Sequence, residues 1–392
     1  MARTAIERVT WFALRTRIFA KIRPRVCHLS SFTFQGKTKT SHDSLRSSFF
    51  GGKEIAHYFL QLSYDQESKI EFDGRTTYNE ILSVAQEKKA DIVFVDADRI
   101  FSRFLFSKGF LLLPYVNFVL DVSGTLDTTI AGMNRNKKRI FRKIDELGYS
   151  YETTRDLEKC RLFYRDMYLP HVRERYAESA RPLSWVDFEK HLRKGGLMLV
   201  KLEGEYVSGI LYSPNGEEVR SLVLGVSNVQ EHMSDGAASA PLRFLISWAK
   251  ENGFKRIDYG STYPFFKDGV FLYKKTWGMR IRPIEGKDAK IIAVKFDNFR
   301  NAREFLLANP SIVYDSGRLV GIVFSDSDIE RIREEYYVPG LSGLVVYTSR
   351  VDSANKSPED KYKFSQSLHR LTRMASEEGF VPHYINFSDN TR

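Results

Sequence analysis

Residues 234–278 read SDGAASAPLRFLISWAKENGFKRIDYGSTYPFFKDGVFLYKKTWG. A loop of small residues opens a helix, the helix hands over to a short strand, and a second amphipathic segment follows with paired lysines. Small side chains at a helix entry let a ligand approach the backbone closely. The first amides of a helix are unpaired and sit at the positive end of its dipole. This layout suits a phosphorylated cofactor seated at a helix N-terminus.

Working outward, the order across 185–296 is helix, hairpin, strand, helix, strand, helix, strand, strand. The hairpin is Leu197–Leu202 and Tyr206–Tyr212 around Glu203-Gly204-Glu205, and Val219–Val226 follows as a strand. Arg256–Gly260, Met279–Ile284 and Lys290–Phe296 are expected strands, and Gly269–Trp277 a helix. Upstream, the spacing predicts helix over Thr125–Leu147, strand over Tyr149–Thr153, helix over Asp156–Ala180 with a break at Pro170, and helix over Ser184–Leu192. Strands alternating with helical crossings give a mixed α/β sheet. Residues 31–52, rich in Ser, Thr and Gly, read as loop. Thr76–Lys89 reads as helix, Ile92–Val95 as a buried strand, Phe101–Ser107 as a helical turn, and Phe110–Leu120 as two strands parted by Pro114. The last hundred residues alternate again, with strands at Leu319–Phe324, Leu344–Tyr347 and His383–Phe387 and a helix at Tyr362–Glu377.

The 392 residues suffice for two to three domains, and 42% hydrophobic content with 14% aromatics can build real cores. Cys27 and Cys160 offer neither a disulfide framework nor a cysteine metal site, which points to a reducing, cytoplasmic compartment. No histidine pair has ligand spacing, so no metal is expected. The net charge is +11. It is concentrated in residues 1–40 and in the run Arg135, Lys137, Lys138, Arg139, Arg142, Lys143, which leaves the rest slightly acidic. Such local charge suits phosphate, acidic lipid or nucleic acid, although the 135–143 run also reads as a solvated helix face. No apolar run is long enough to span a membrane. Trp11–Ile22 reads as a docking helix or basic tail, or as a peripheral membrane contact at the inner face.

The words YVNFVLDVSGTLDTTIAGMNRNKKRIFRKIDELG, FYRDMYLPHVRERYAESA, LVKLEGEYVSGILYS and RFLISWAKENGFKRIDYGS with LYKKTWG together resemble the GNAT acyltransferases. More narrowly, they resemble the Fem-type and cellulose-biosynthesis-like branch, whose members often pair two GNAT-type domains. The resemblance implies an α/β fold. A GNAT-like mixed sheet flanked by helices would span 116–296. A smaller, degenerate GNAT-like α/β partner would span 31–115 behind a basic leader at 1–30. A C-terminal α/β extension would span 297–392.

The resemblance also implies a site. Val219–Val226 and Arg256–Gly260 would splay around an acyl-CoA pantetheine arm, acetyl-CoA first among such donors. Backbone amides at Leu224, Gly225 and Val226 would polarise the carbonyl. Ser234, Gly236, Ala237, Ala238 and Ser239 would cradle the pyrophosphate. Tyr273 would lie near the leaving sulfur. Lys274 matches the lysine of a Lys-x-x-aromatic-Gly word and would hold an anion, and Asp258 would take a proton from the amine. Tyr168, His171 and Arg175 would line the acceptor. Each has a structural alternative: Asp258 as a strand-end cap, Tyr273 and Trp277 as core aromatics, Lys274 as a solvated helix residue, His171 as a structural histidine.

The chain departs from the family's phosphate signature. No Gln or Arg stands at the expected spacing before Gly236, and Asp235 adds a negative charge. The Fem-type branch is looser here, and some of its members take the acyl group from aminoacyl-tRNA instead, a donor the basic patches would also suit. The implied activity is N-acyl transfer from acyl-CoA to a primary amine on a sugar, a peptide, a small metabolite, or a peptidoglycan or polysaccharide precursor. The alternatives are aminoacyl transfer from tRNA and a non-catalytic scaffold of the same fold.

Overall fold

The computed structural model describes residues 28–38, 44–64, 69–98, 110–176, 182–227, 236–284, 290–296, 299–349 and 365–387. The expected basic leader, the Phe101–Ser107 turn and Ser234 lie outside the described residues. In chain order the first elements are β1 (His28–Lys37), β2 (Ser44–Phe50), α1 (Lys53–Ser63), β3 (Lys69–Thr77), α2 (Ile81–Glu87), β4 (Ile92–Asp98) and β5 (Phe110–Leu112). The middle holds β6 (Val116–Asp121), α3 (Leu126–Ala131), α4 (Arg135–Glu146), β7 (Ser150–Thr154), α5 (Leu157–Leu162), a π-helical turn (Phe163–Tyr168), α6 (Leu169–Tyr176), α7 (Trp185–Lys194), β8 (Gly196–Leu202), β9 (Glu205–Asn215), β10 (Glu218–Val226), α8 (Ala240–Glu251), β11 (Arg256–Thr262), α9 (Gly269–Lys275) and β12 (Arg280–Pro283). Last come β13 (Lys290–Phe296), α10 (Phe299–Ala308), β14 (Ser311–Asp315), β15 (Arg318–Phe324), α11 (Ile329–Tyr336), β16 (Gly343–Thr348), α12 (Gln366–Glu377) and β17 (Val381–Asn386).

The strands form two mixed sheets. Seven make the order β12-β6-β11-β10-β9-β8-β7, and ten make β17-β16-β15-β14-β5-β13-β4-β2-β1-β3. The α/β class expected from the sequence is the one found. The expected units at 31–115 and 297–392 contribute to the same ten-stranded sheet, and Lys290–Phe296 joins it too, pairing with β4 and β5. Within the stretch expected as loop, residues 31–37 and 44–50 are strands. Phe32, Phe34, Phe49 and Phe50 are buried and fill the sheet's faces, while the intervening Ser and Thr tolerate a pleated backbone.

Local chemistry accounts for the elements that position the site. The hairpin β8–β9 turns on Glu203 and Gly204, both at positive φ (52° and 89°), as a two-residue turn matched to strand twist requires. Helix α8 buries Leu242, Leu245, Ile246 and Ala249, one stripe at helical spacing, against the sheet. Helix α9 starts where the Asp268 side chain accepts from Phe271 N–H at 2.9 Å. Pro170 does not break the expected long helix. The preceding turn is π-helical, with Leu169 N–H reaching back to Tyr164 O, and this widened stretch accommodates a proline that has no N–H.

The two sheets meet through α9 and its approach. Phe266 N–H donates to Pro310 O at 3.0 Å and Ile312 N–H to Pro264 O at 2.8 Å. Tyr58 of α1 stacks on Tyr263 with ring centres 3.3 Å apart and donates to Asp268 at 3.1 Å.

Candidate functional site

Strands β10 and β11 run parallel and pair only as Glu218↔Arg256, Val219↔Ile257 and Arg220↔Asp258. Beyond that point each follows its other neighbour. β10 continues along β9 to Val226↔Ser208 after a bulge between Ser221 and Val223. β11 continues along β6 after an irregularity between Asp258 and Ser261, where Gly260 has φ 70°. Bulges bend a strand and increase its twist, so two bulged neighbours diverge. The result is a fork whose closed end is Arg220–Asp258.

Amide directions along β10 follow from one bond. Ser227 N–H donates to Val207 O at 2.9 Å, so alternation aims Gly225 at β9 as well. Leu224 and Val226 then turn their N–H groups toward the fork. Gly225 has a different duty. It pairs with Gly209, and a Cβ there would lie 2.8 Å from Phe163 Cε2 and from Tyr168 N. This close approach seats the π-helical turn on the sheet.

At the open end of the fork lies a cavity of 440 Å³. One wall is the entry to α8, with Gly236, Ala238 and Ser239, and Leu224 and Tyr273 flank it. Gly236 O accepts from Ser239 and Ala240 N–H at 2.8 and 2.9 Å, so the turn runs directly into the helix. Gly236 has φ 91°, which favours glycine. The Ser239 side chain makes no cap, and Pro241 in the first turn has no amide hydrogen. The helix's positive end is therefore presented by backbone alone.

The opposite wall carries positive charge. Lys137 and Lys143 come from α4, and His171 and Arg175 from α6, with Glu174 the one acid among the lining residues. Lys137 is 8% exposed. Its Nζ lies 4.7 Å from the Tyr273 ring centre and 4.5 Å from that of Trp277. Among the described residues it has no carboxylate partner. Burial, and then the neighbouring Arg175, hold its amine down at about 8. A buried cation without a counter-ion is costly, and an anionic ligand removes that cost. His171 is buried, with Nδ1 lacking a partner among the described residues, and burial followed by Arg175 lowers its pKa. The Arg175 guanidinium lies 5.5 Å from the Tyr273 ring centre.

The expected site residues thus divide. Leu224, Gly236, Ala238, Ser239, Tyr273, His171 and Arg175 share this cavity. Ala237 and Val226 are fully buried beside it in the core. Tyr168, expected with His171, is apart: it is buried among Phe163 and its neighbours, and its hydroxyl accepts from Leu183 N–H at 2.7 Å. Lys274 is not solvated. Its ammonium lies under β11 and donates to Gly260 O and Ser261 O at 3.0 and 3.1 Å. Burial lowers its pKa to about 8, against the raising effect of Asp258 and Asp268. Trp277 is core, fully buried against Phe141.

Asp258 faces the other side of the sheet. Its Oδ1 accepts from Asn117 Nδ2 at 3.0 Å and from Gly260 N–H at 2.8 Å. Arg282 and Arg220 stand 3.4 and 3.7 Å from Oδ2. These side chains line a second cavity, of 540 Å³, at the closed end of the fork.

Two contributors, Arg220 and Arg282, escaped the sequence reading, and Lys137 was read only as one member of a basic run and not singled out. Lys137 had a readable signal, since 137, 141 and 144 form the buried stripe of α4 and a lysine takes an apolar position there. Arg220 and Arg282 needed the strand pairing, which no local pattern carries.

No family model matches the chain, and no curated protein matches it. Among solved structures, FemX is similar at 14% identity and a TM-score of 0.39, covering 69% of this chain and 85% of its own. L-PGS from Bacillus licheniformis is similar at 14% identity and a TM-score of 0.34, covering 71% and 85%. A GCN5-related N-acetyltransferase from Sphaerobacter thermophilus is similar at 12% identity and a TM-score of 0.32, covering 64% and 73%. Among the described residues no helix is long and apolar enough to cross a membrane, and no group of three or more His, Cys, Asp or Glu could hold a metal.

Proposed function

We propose that this chain is an N-acyltransferase that moves an acyl group from acyl-CoA, acetyl-CoA first among candidates, to a primary amine. One observation carries the reading: β10, once parted from β11, brings Leu224 to a cavity walled by a helix N-terminus and by a buried lysine with no described carboxylate against it. An anionic donor with a thin arm matches that shape and charge.

In this reading the phosphates lie on the 236–239 amides, with Lys137 supplying the charge that the loop lacks. The arm enters the fork, and Leu224 and Val226 amides polarise the acyl carbonyl. The amine nitrogen bonds to the carbonyl carbon as the carbon–sulfur bond breaks. Asp258, directly or through water, receives the amine's proton, and the Tyr273 hydroxyl protonates the departing thiolate. Lys274 acts from beneath, holding the Gly260–Ser261 carbonyls and so the shape of the fork.

The test is calorimetric titration with acetyl-CoA and longer acyl-CoA. Saturable binding, weakened by Lys137→Gln, supports the reading, and absence of binding to every acyl-CoA overturns it. A second donor, aminoacyl-tRNA, is favoured by a separate observation. Arg135, Arg139 and Arg142 are exposed on the helix that carries Lys137. Label passing from charged tRNA to an amine, without competition from CoA, would select that donor.

A further inference from the structure

The expected acceptor residues His171 and Arg175 lie in the donor cavity, so the acceptor needs another seat. Strand alternation puts Asn117, Arg220, Asp258 and Arg282 on the face opposite the buried Phe118, Val219, Ile257 and Ile281. Their 540 Å³ cavity reaches Leu222, the bulge residue at which β10 leaves β11. The two cavities therefore approach one fork, the larger at its closed end and the smaller at its open end.

The charges here are incompletely used. Arg282 clamps Glu218 with both arms, at 2.7 and 2.9 Å, and Arg256 holds the same carboxylate at 2.7 Å. Arg220 is different. The nearest described partner of its half-exposed guanidinium is Asp258 Oδ2 at 3.7 Å, and the guanidinium makes no hydrogen bond among the described residues. A guanidinium has five N–H donors in a planar fork suited to carboxylate or phosphate. Asp258 has Oδ1 fully engaged and Oδ2 met only at 3.4 and 3.7 Å. A cation and an anion stand side by side at the closed end of the fork, each with hydrogen-bonding capacity left over.

We infer that the acceptor is an amine that also bears an anionic group, a carboxylate or phosphate, with the amine at Asp258 Oδ2 and the anion on Arg220. This rests on the acyl-transfer reading for the role of Asp258, and it adds the class of the acceptor. Amines with neutral tails leave the half-exposed Arg220 fork to water and bind less well.

The test uses matched probes, followed by NMR titration of the full chain. β-Alanine is compared with 3-aminopropan-1-ol, and O-phosphoethanolamine with ethanolamine. The expected result is at least tenfold tighter binding of the anionic member of one pair, and the pair that responds identifies carboxylate or phosphate. Arg220→Gln should reduce that ratio to twofold or less, and Arg220→Lys, which keeps charge but loses the planar fork, should fall between. Acetyl-CoA affinity, measured on the same samples, should stay within twofold of wild type, which also shows that the variants are folded. Equal binding within both pairs, or a ratio that survives Arg220→Gln, overturns the inference. Loss of acetyl-CoA binding in the wild type, with the probe ratio intact, would instead overturn the donor reading and leave this seat standing.

Discussion

Lys137 Nζ lies 4.7 Å from the centre of the Tyr273 ring, and no described carboxylate stands against it. Removing its charge should separate stability from binding. Lys137→Met keeps an unbranched apolar stem and deletes the buried ammonium, so thermal stability should hold or rise. Acetyl-CoA affinity should fall by about 1.5–3 kcal/mol, the range for a hydrogen bond to a charged group. Differential scanning calorimetry and titration on one sample read both.

The same amine makes a pH signature. Lys137 and Lys274 both titrate near about 8 in the folded chain, against 10.5 ordinarily, and Lys275 shifts in the same direction. Below about pH 8 both are charged in either state and the burial penalty is fully felt. Between about 8 and 10.5 the unfolded chain holds more protons than the folded one, so stability should rise with pH across that window. Donor binding should move the other way, weakening as Lys137 loses its proton. Urea midpoints at pH 7 and 9.5, with Lys137→Gln showing a shallower rise, check the first, and donor titration at the same two pH values checks the second.

Tyr273→Phe should lower kcat by about 100-fold, the lower end for losing a general acid, with donor affinity nearly unchanged. Asp258→Asn should lower kcat similarly and leave the donor's apparent affinity alone. Steady-state kinetics with acetyl-CoA and a saturating amine measures both, and full turnover in the double variant would remove these roles.

Lys274→Met should cost about 1–3 kcal/mol of stability, because the Gly260 and Ser261 carbonyls lose their donor. Chemical denaturation reads this directly. A variant of unchanged stability that had lost turnover would show a lysine acting on the reactants instead of on the strand.

Gly225→Ala should destabilise by about 1–3 kcal/mol, as overpacking does. The added methyl would meet backbone atoms Tyr168 N and Met167 C at 2.8 and 2.9 Å, which cannot rotate away as a side-chain tip would. Lowered urea midpoints with altered Tyr168 and Met167 amide shifts would confirm that the π-helical turn is displaced.

Much of this was legible in the sequence because it is local. The small-residue entry to α8, the start of α9 at Gly269 and the Glu203-Gly204 turn each sit within a few residues of what they control. Strands β1 and β2 were misread as part of a loop over 31–52 because Ser, Thr and Gly content outweighed the alternation of Phe32 and Phe34, whose period of two is the stronger physical signal. Pro170 misled for a related reason, since a proline breaks a regular α-helix but not a widened turn. The fork was expected only through the family resemblance, because no local pattern in the residues carries it. It depends on where β10 and β11 stop pairing, and partners 38 residues apart along the chain (Arg220 and Asp258) leave no trace in either segment alone. Lys274 lies between these cases: its word was recognised, but its direction depends on a bulge in another strand.

Strand β13 lies between β4 and β5, so the ten-stranded sheet stays incomplete until residues beyond 290 have emerged from the ribosome. The seven-stranded sheet, drawn from one uninterrupted span, can close first. Until then the early strands present an unpaired edge along β4, with Phe94 and Val95 beside it, and unpaired edges invite aggregation. A nascent chain stalled shortly after β12 would therefore hold a finished seven-stranded half beside a sticky unfinished one, and it is this species that chaperones would have to shield.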